Sequence, residues 1–388
     1  MTFIEIRGVQ FVNKGAELML HAVLQQLRQR WPQAQVVLQT GANSPYQARA
    51  LLGAYQKAGL RLFGVEMNAY SHYLPKKLRQ WLIRQFGIVT EADIDVVLDA
   101  SGFAYGDQWP EAHGLYLADE LKRFAKRGKA YVFLPQAFGP FSREKERQAL
   151  AEALPLARLV LARDPQSLQH LRALCPQGNI QQAPDFTNLV QGASLVPALP
   201  ANTLTMIPNY QMLSPRNSDQ RWQNSYLPML IHLMLRALEQ GMQVLVLNHE
   251  GNKDQELCEA LVAASQGRAT LRQEAAPLVV KALIGQSKAV ICSRFHGCVS
   301  ALSQGIPCIG TSWSHKYQAL FADYLQQRFL LDPGLSESQL AELMDELQDL
   351  PAEPLLQASA LLKLQSEQMW NLVMQALSEQ RSPSAVNG

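Results

Sequence analysis

Short apolar runs alternate with helix-period segments over most of this 388-residue chain, and that alternation constrains its fold more than any other feature. The strand-like "TFIEIRGV" precedes the amphipathic "GAELMLHAVLQQLRQRW", and "AQVVLQT" follows it. Further on, "EADIDVVLDASG", "KAYVFLPQAFGPF" and "ARLVLARD" are strands separated by the helical "GLYLADELKRFAKRG" and "SREKERQALAEALPL". A strand that must be covered by a helix before the next strand begins builds a parallel, doubly wound sheet. The pattern breaks at "QGASLVPALPAN" and resumes with "TLTMIPN", a helix from about Ser225 with Pro228 in its first turn, "MQVLVLNHE", a helix from Asp254 and "KAVICS". A last short strand near Phe329–Leu331 and helices from Ser336 close the series. The expected fold class is α/β, two Rossmann-like domains facing a central cleft (a GT-B-like arrangement). The expected boundaries are 1–190 for the N-terminal domain, 191–202 for a linker, 203–380 for the C-terminal domain and 381–388 for a flexible tail.

Thirty-five basic side chains against 33 acidic ones leave a formal charge of +2, so no global field selects nucleic acid or a membrane. Any anion site must be local. The five cysteines include no C-x-x-C pair, and Cys292, Cys298 and Cys308 fall in or beside buried-looking segments, where thiols act as small hydrophobes. That suits a reducing, cytoplasmic location and argues against a metal site.

The densest chemistry is in "SRFHGCVSALSQGIPCIGTSWSHKY", Ser293–Tyr317. Arg294 and His296 sit on a strand-to-helix turn, where free N–H groups favour anions and a guanidinium can grip a carboxylate or phosphate at two points. Ser293 and Gly297 complete that turn, and His315 and Lys316 follow the next strand, so they can reach the same rim. An ordinary reading remains: Arg294 as a bridge between domains, His296 as a turn cap. "NHEGNKDQEL" offers His249 as a cleft residue and Asp254 as a helix cap; with Glu250 they lack a second ligand pair for zinc. Near the N-terminus "NKGAELML" supplies Asn13 and Gly15, residues that permit unusual backbone angles, and Glu17, which also favours the helix dipole. "LDASGFAYGDQW" gathers Asp99, Ser101, Asp107 and Trp109, a polar and aromatic loop suited to a sugar.

Together "NKGAELML", "LPQAFGPF", "LARDPQSLQHL", "APDF", "NHEGNKD" and "SRFHGCVSALSQGIPCIG" with "SWSHKY" resemble, in order, the polysaccharide pyruvyl transferase family. The resemblance implies the two-domain fold, phosphoenolpyruvate as donor, and an acceptor that is a surface-polysaccharide sugar or its lipid-linked precursor. It implies a cyclic pyruvate ketal as product, no cofactor beyond phosphoenolpyruvate as co-substrate, no nucleic-acid partner, and peripheral membrane contact through the acceptor. Catalytic roles fall on His296, Glu17 and His315, and donor binding on Arg294, His296, Lys316, Ser293, Gly297 and His249. Acceptor binding falls on Asn13, Glu17, Asp99, Asp107 and Trp109, with the first domain as the acceptor side. Departures from the family pattern are Ala16 where many members carry Asp, and Asn209 where an arginine is common, with Arg216 and Arg221 nearby as substitutes. The alternatives are a nucleotide-sugar-dependent glycosyltransferase of GT-B fold and a non-catalytic sugar-binding relative.

Overall fold

Strands covered by helices on both faces carry unbroken apolar runs, and "VVLD", "LVLA" and "AVIC" are buried at every position. The computed structural model describes residues 2–378 apart from Leu60, Phe63, Gly64, Met67, Leu195, Val196, Arg216, Ser218, Trp313 and His315. The chain forms two α/β units.

The first unit takes residues up to Val12, Met19–Phe186 and the chain from Ser366. Its sheet runs Ile180–Gln182, Leu159–Ala162, Ala130–Phe138, Val96–Asp99, Thr2–Arg7, Ala34–Gln39, Tyr55–Lys57, Ile88–Val89. Each of these pairings is parallel, and Phe103–Tyr105 adds parallel to Ala130–Phe138. The second unit takes Asn13–Leu18 and Thr187–Gln365. Its five strands lie in the order Ala269–Gln273, Gln243–Asn248, Thr203–Ile207, Ala289–Cys292, Cys308–Gly310, all parallel. Both are Rossmann-like sheets.

Several elements differ from the sequence reading. The short segments Tyr46–Leu51, Tyr55–Lys57, Lys76–Phe86 and Ile88–Val89 extend the first unit without an apolar run long enough to announce them. The helix expected from Ser225 begins at Trp222, so Pro228 lies inside it. Near Phe329 there is a single-turn 3₁₀ helix, Gln327–Phe329, and one bridge from Leu330 to Gly310 in place of a strand. The units also interleave in sequence, whereas the expected domains were consecutive. The last helix, Ala352–Ser378, brings Trp370 edge-on to Phe186 at 6.4 Å, which ties its end to the first unit. Residues 381–388 lie outside the described residues.

The first unit also hides a charge network. Glu5, on a central strand and 0% exposed, accepts from Lys57 Nζ at 2.7 and 2.9 Å and from Arg7; Arg7 also holds buried Glu120 and donates to Tyr131 Oη. These cations hold the Glu120 carboxyl down at about 2 against the opposing effect of its burial.

Candidate functional site

In the second sheet the strand order reverses between Thr203–Ile207 and Ala289–Cys292, the place where ligands bind in open α/β sheets. Asn209 leaves the first of these strands and Ser293 the second. The Asn209 amide donates to the Ser293 carbonyl at 2.9 Å, and Tyr317 Oη donates to the same carbonyl at 3.0 Å. Tyr226 Oη and Thr311 Oγ1 bond the Ser293 hydroxyl at 2.6 and 2.8 Å. Ser293 is fully buried. It therefore locks the turn and is not a donor contact, which corrects the sequence reading. At Gly297 a Cβ would lie 2.5 Å from Cys292 Sγ, so the glycine allows close packing of the helix Phe295–Leu302 on its own strand.

Arg294 extends from this fixed turn, mostly buried, and its carboxylate partners among the described residues, Glu250 and Asp254, lie in the second unit. Its Nε donates to Asp254 at 3.0 Å, Nη2 reaches the same carboxylate, and Nη1 meets Glu250. Burial lowers the guanidinium's hold on its proton, and Tyr317 and Tyr226 oppose that; an arginine remains charged. As placed, the fork is occupied by protein carboxylates and is not open to an anion. Asp254 is correspondingly no helix cap. Gly251 holds that position, and Asp254 in the first turn also accepts from the Tyr210 backbone N–H at 2.9 Å. Sequence reading singled out both acids without linking them to Arg294, because the contact spans some forty residues.

The N-terminal motif joins this group. Asn13 Oδ1 accepts from the N–H groups of Gly15 and Ala16 at 2.9 and 3.2 Å, starting the helix Lys14–Arg30, while its amide donates to Glu250 Oε1 at 3.1 Å. Gly15 lies within that helix, so backbone freedom is not what it supplies: a Cβ there would stand 2.6 Å from His296 Nδ1. Glu17 pairs with Lys14 at 2.7 Å; burial nonetheless raises its carboxyl above the ordinary value. Asn13 and Glu17 thus belong with the second unit's Arg294–His296 turn, which corrects their assignment to the first domain. Lys14 is a site cation that sequence reading passed over, although it stands inside the quoted motif.

His296 packs edge-on to Phe295 at 5.4 Å, and Lys316 Nζ lies 5.2 Å from the Phe295 ring centroid. His249 is 6% exposed, and among the described residues no hydrogen bond reaches its Nδ1. Its burial, then Arg294, His296 and Lys14, push its pKa down to about 3, so it is neutral at physiological pH. His315 and Arg216 lie outside the described residues, and Arg221 pairs at the surface with Asp219 and Asp332.

The remaining residues expected to bind the acceptor lie in the first unit. Asp99 is 0% exposed, and its carboxylate is saturated by Ser101, Tyr105 Oη at 2.6 Å, Tyr131 Oη at 3.0 Å and Gln136. A carboxylate so engaged is structural, and its assignment to a sugar is corrected. Asp107 is half-buried, accepting from the Ser142 N–H at 3.0 Å, and Trp109 packs edge-on to Phe103 at 6.3 Å.

The model of the family described as "Polysaccharide pyruvyl transferase" matches residues 13–315, most of the chain. The chain belongs to this family. The match begins at Asn13, the first residue of the site, and so takes in the helix start, the His249–Asp254 loop and the Arg294–His296 turn. No curated protein matches the sequence. Among solved structures, the UDP-GlcNAc 2-epimerase of Methanocaldococcus jannaschii is similar at 9% identity and a TM-score of 0.60, over 97% of this chain and 100% of that one. The Neisseria meningitidis UDP-GlcNAc 2-epimerase bound to UDP-GlcNAc is similar at 11% and 0.57, over 97% and 100%. A glycosyltransferase from Rickettsia africae matches at 10% and 0.57, over 97% and 99%. At these identities the likeness is one of fold. Among the described residues no helix is long and apolar enough to cross a membrane.

Proposed function

We propose that this family member moves the enolpyruvyl group of phosphoenolpyruvate onto two hydroxyls of a polysaccharide sugar or its lipid-linked precursor, forming a pyruvate ketal. The observation that carries the reading is the meeting of Gly15 and His296, which brings the "NKGAE" helix start onto the Arg294 turn. That turn in turn holds Glu250 and Asp254.

Phosphoenolpyruvate carries about three negative charges at neutral pH. Lys14, Lys316 and the N–H groups opening the helix Phe295–Leu302 supply the matching positive field. Arg294 acts as a positioning residue: it holds Glu250, which holds Asn13. A proton passes to the methylene carbon, with His296 as the acid, leaving an oxocarbenium-like centre. The first sugar hydroxyl adds there and gives its proton to Glu17, a carboxyl whose burial strengthens its hold on a proton. Phosphate then leaves with the C–O bonding pair and takes the proton from Glu17, and the second hydroxyl closes the ketal, its proton returning to His296. No other co-substrate is needed for the balance. His249, neutral among cations, supplies a hydrogen bond without adding charge.

Thermal shift with phosphoenolpyruvate against a panel of UDP-sugars tests the donor. A ligand at about 100 times its Kd adds about 2.7 kcal/mol. The reading expects phosphoenolpyruvate to raise Tm; a shift by a UDP-sugar alone would replace it with glycosyl transfer.

A further inference from the structure

The segment from Asn68 to Thr90 contains four cations (Lys76, Lys77, Arg79 and Arg84) and no Asp or Glu, in a chain whose total charge is only +2. Its helix, Lys76–Phe86, "KKLRQWLIRQF", has no buried residue. Ile83 packs on the first unit's core and Arg79 pairs with Asp93, which fixes the inner face. The outer face carries Lys77, Trp81 and Arg84 at i, i+4 and i+7, all exposed. Leu78 is 41% exposed, Trp81 50% and Phe86 53%, and Tyr70 and Tyr73 on the preceding turn reach 57% and 83%. A cleft of about 560 Å³ adjoins the helix end, lined by Tyr46, Arg49, Gln56 and Phe86 among others. Arg49 is 5% exposed, holds the Ser44 carbonyl, and among the described residues meets no carboxylate; its Nε has no hydrogen-bond partner.

We propose that this face of the first unit docks on the surface of an anionic phospholipid bilayer. A short amphipathic helix with aromatic and leucine side chains beside lysine and arginine, and no acid, matches that surface in polarity and in charge. Trp and Tyr favour the headgroup level because they are apolar with one polar atom. Nucleic acid fits less well: Trp81 and Phe86 pack edge-to-face on each other at 5.1 Å, leaving no paired open ring faces for bases to stack on. The inference stands on the surface alone and holds whichever donor the second unit takes.

Co-sedimentation of the full chain with vesicles tests it. Binding to phosphatidylcholine vesicles containing phosphatidylglycerol, weak binding to phosphatidylcholine alone and release by salt are expected. Lys77→Gln with Arg84→Gln should weaken partitioning by about fivefold per cation, the ~1 kcal/mol each contributes near an anionic surface. Trp81→Ala should weaken it on its own. Lys122→Gln, an exposed cation elsewhere in the same unit, should change nothing. All four side chains are exposed, so the variants should keep the wild-type Tm, and a circular dichroism melt confirms that. Failure to bind anionic vesicles at low salt overturns the proposal, as does binding that the helix variants leave unchanged. Binding to duplex DNA through these residues, with none to vesicles, overturns it as well.

Discussion

Gly15 and His296 touch in a way that admits no side chain. A Cβ on Gly15 would sit 2.6 Å from His296 Nδ1 and 3.1 Å from Asn13 Oδ1, the atom that caps the helix. In an open helix, Gly→Ala stabilises by roughly 0.5–1 kcal/mol. Here Gly15→Ala must displace the imidazole, so we expect a lower Tm and lost turnover. In a His296→Ala background the same substitution should raise Tm. A double-mutant cycle measured by denaturant unfolding reads the coupling; additive effects would mean that the two residues do not meet.

Arg294 carries a stability role that its sequence position hid. From sequence, Arg294→Lys weakens the donor site and leaves the fold intact. With two buried or half-buried carboxylates on the guanidinium, the structure gives a different expectation. Breaking a buried ion pair costs about 3–5 kcal/mol, so Arg294→Met should unfold at markedly lower urea, and Arg294→Lys, which keeps the charge and loses the fork, should fall between. Adding Asp254→Asn should recover part of the loss. An Arg294→Met variant with wild-type urea midpoint contradicts the pairing.

The sequence made the sheets legible because their central strands are apolar runs closed by small-residue turns, and it made the Arg294–His296 turn legible because strand, turn and helix are contiguous. What joins that turn to the rest was not legible. Glu250 and Asp254 were visible as acids after a strand, yet nothing in "NHEGNKD" says which cation they face. Gly15 read as a conformational residue, when the constraint is the width of an imidazole 281 positions further along. Asp99 looked like a loop acid, and only the tyrosines at 105 and 131 show it to be saturated. Side chains that meet across the sequence leave no periodic trace in it.

His249 gives the fold a pH signature. Its pKa falls from the ordinary 6.5 to about 3 on folding, chiefly through burial. Above pH 6.5 both states are neutral there and its stabilisation is fully present. As pH drops from 6.5 toward 3 the unfolded chain takes up a proton that the folded chain excludes, and stability falls by about 1.4 kcal/mol per unit. His249→Asn should therefore flatten the wild-type decline between pH 6.5 and 4.5, measured by urea midpoints. Parallel slopes in the two proteins would show that His249 titrates normally.

Glu17 is the proton acceptor in the proposed reaction. Its other contribution, a carboxylate near a helix start, is worth only about 0.3–1 kcal/mol. Glu17→Gln should melt close to the wild type and bind phosphoenolpyruvate in a titration without acceptor, while kcat falls by roughly a hundredfold or more. Full turnover in this variant would remove Glu17 from the chemistry.

The most direct test of the account is turnover itself. The full chain is incubated with phosphoenolpyruvate and glycans that present neighbouring hydroxyls, and both phosphate and glycan mass are followed. The account predicts phosphate release that needs both substrates, and a product heavier by one pyruvate less one water, with two hydroxyls blocked. Release of UDP from a nucleotide sugar, with no phosphate from phosphoenolpyruvate on any glycan, would contradict it.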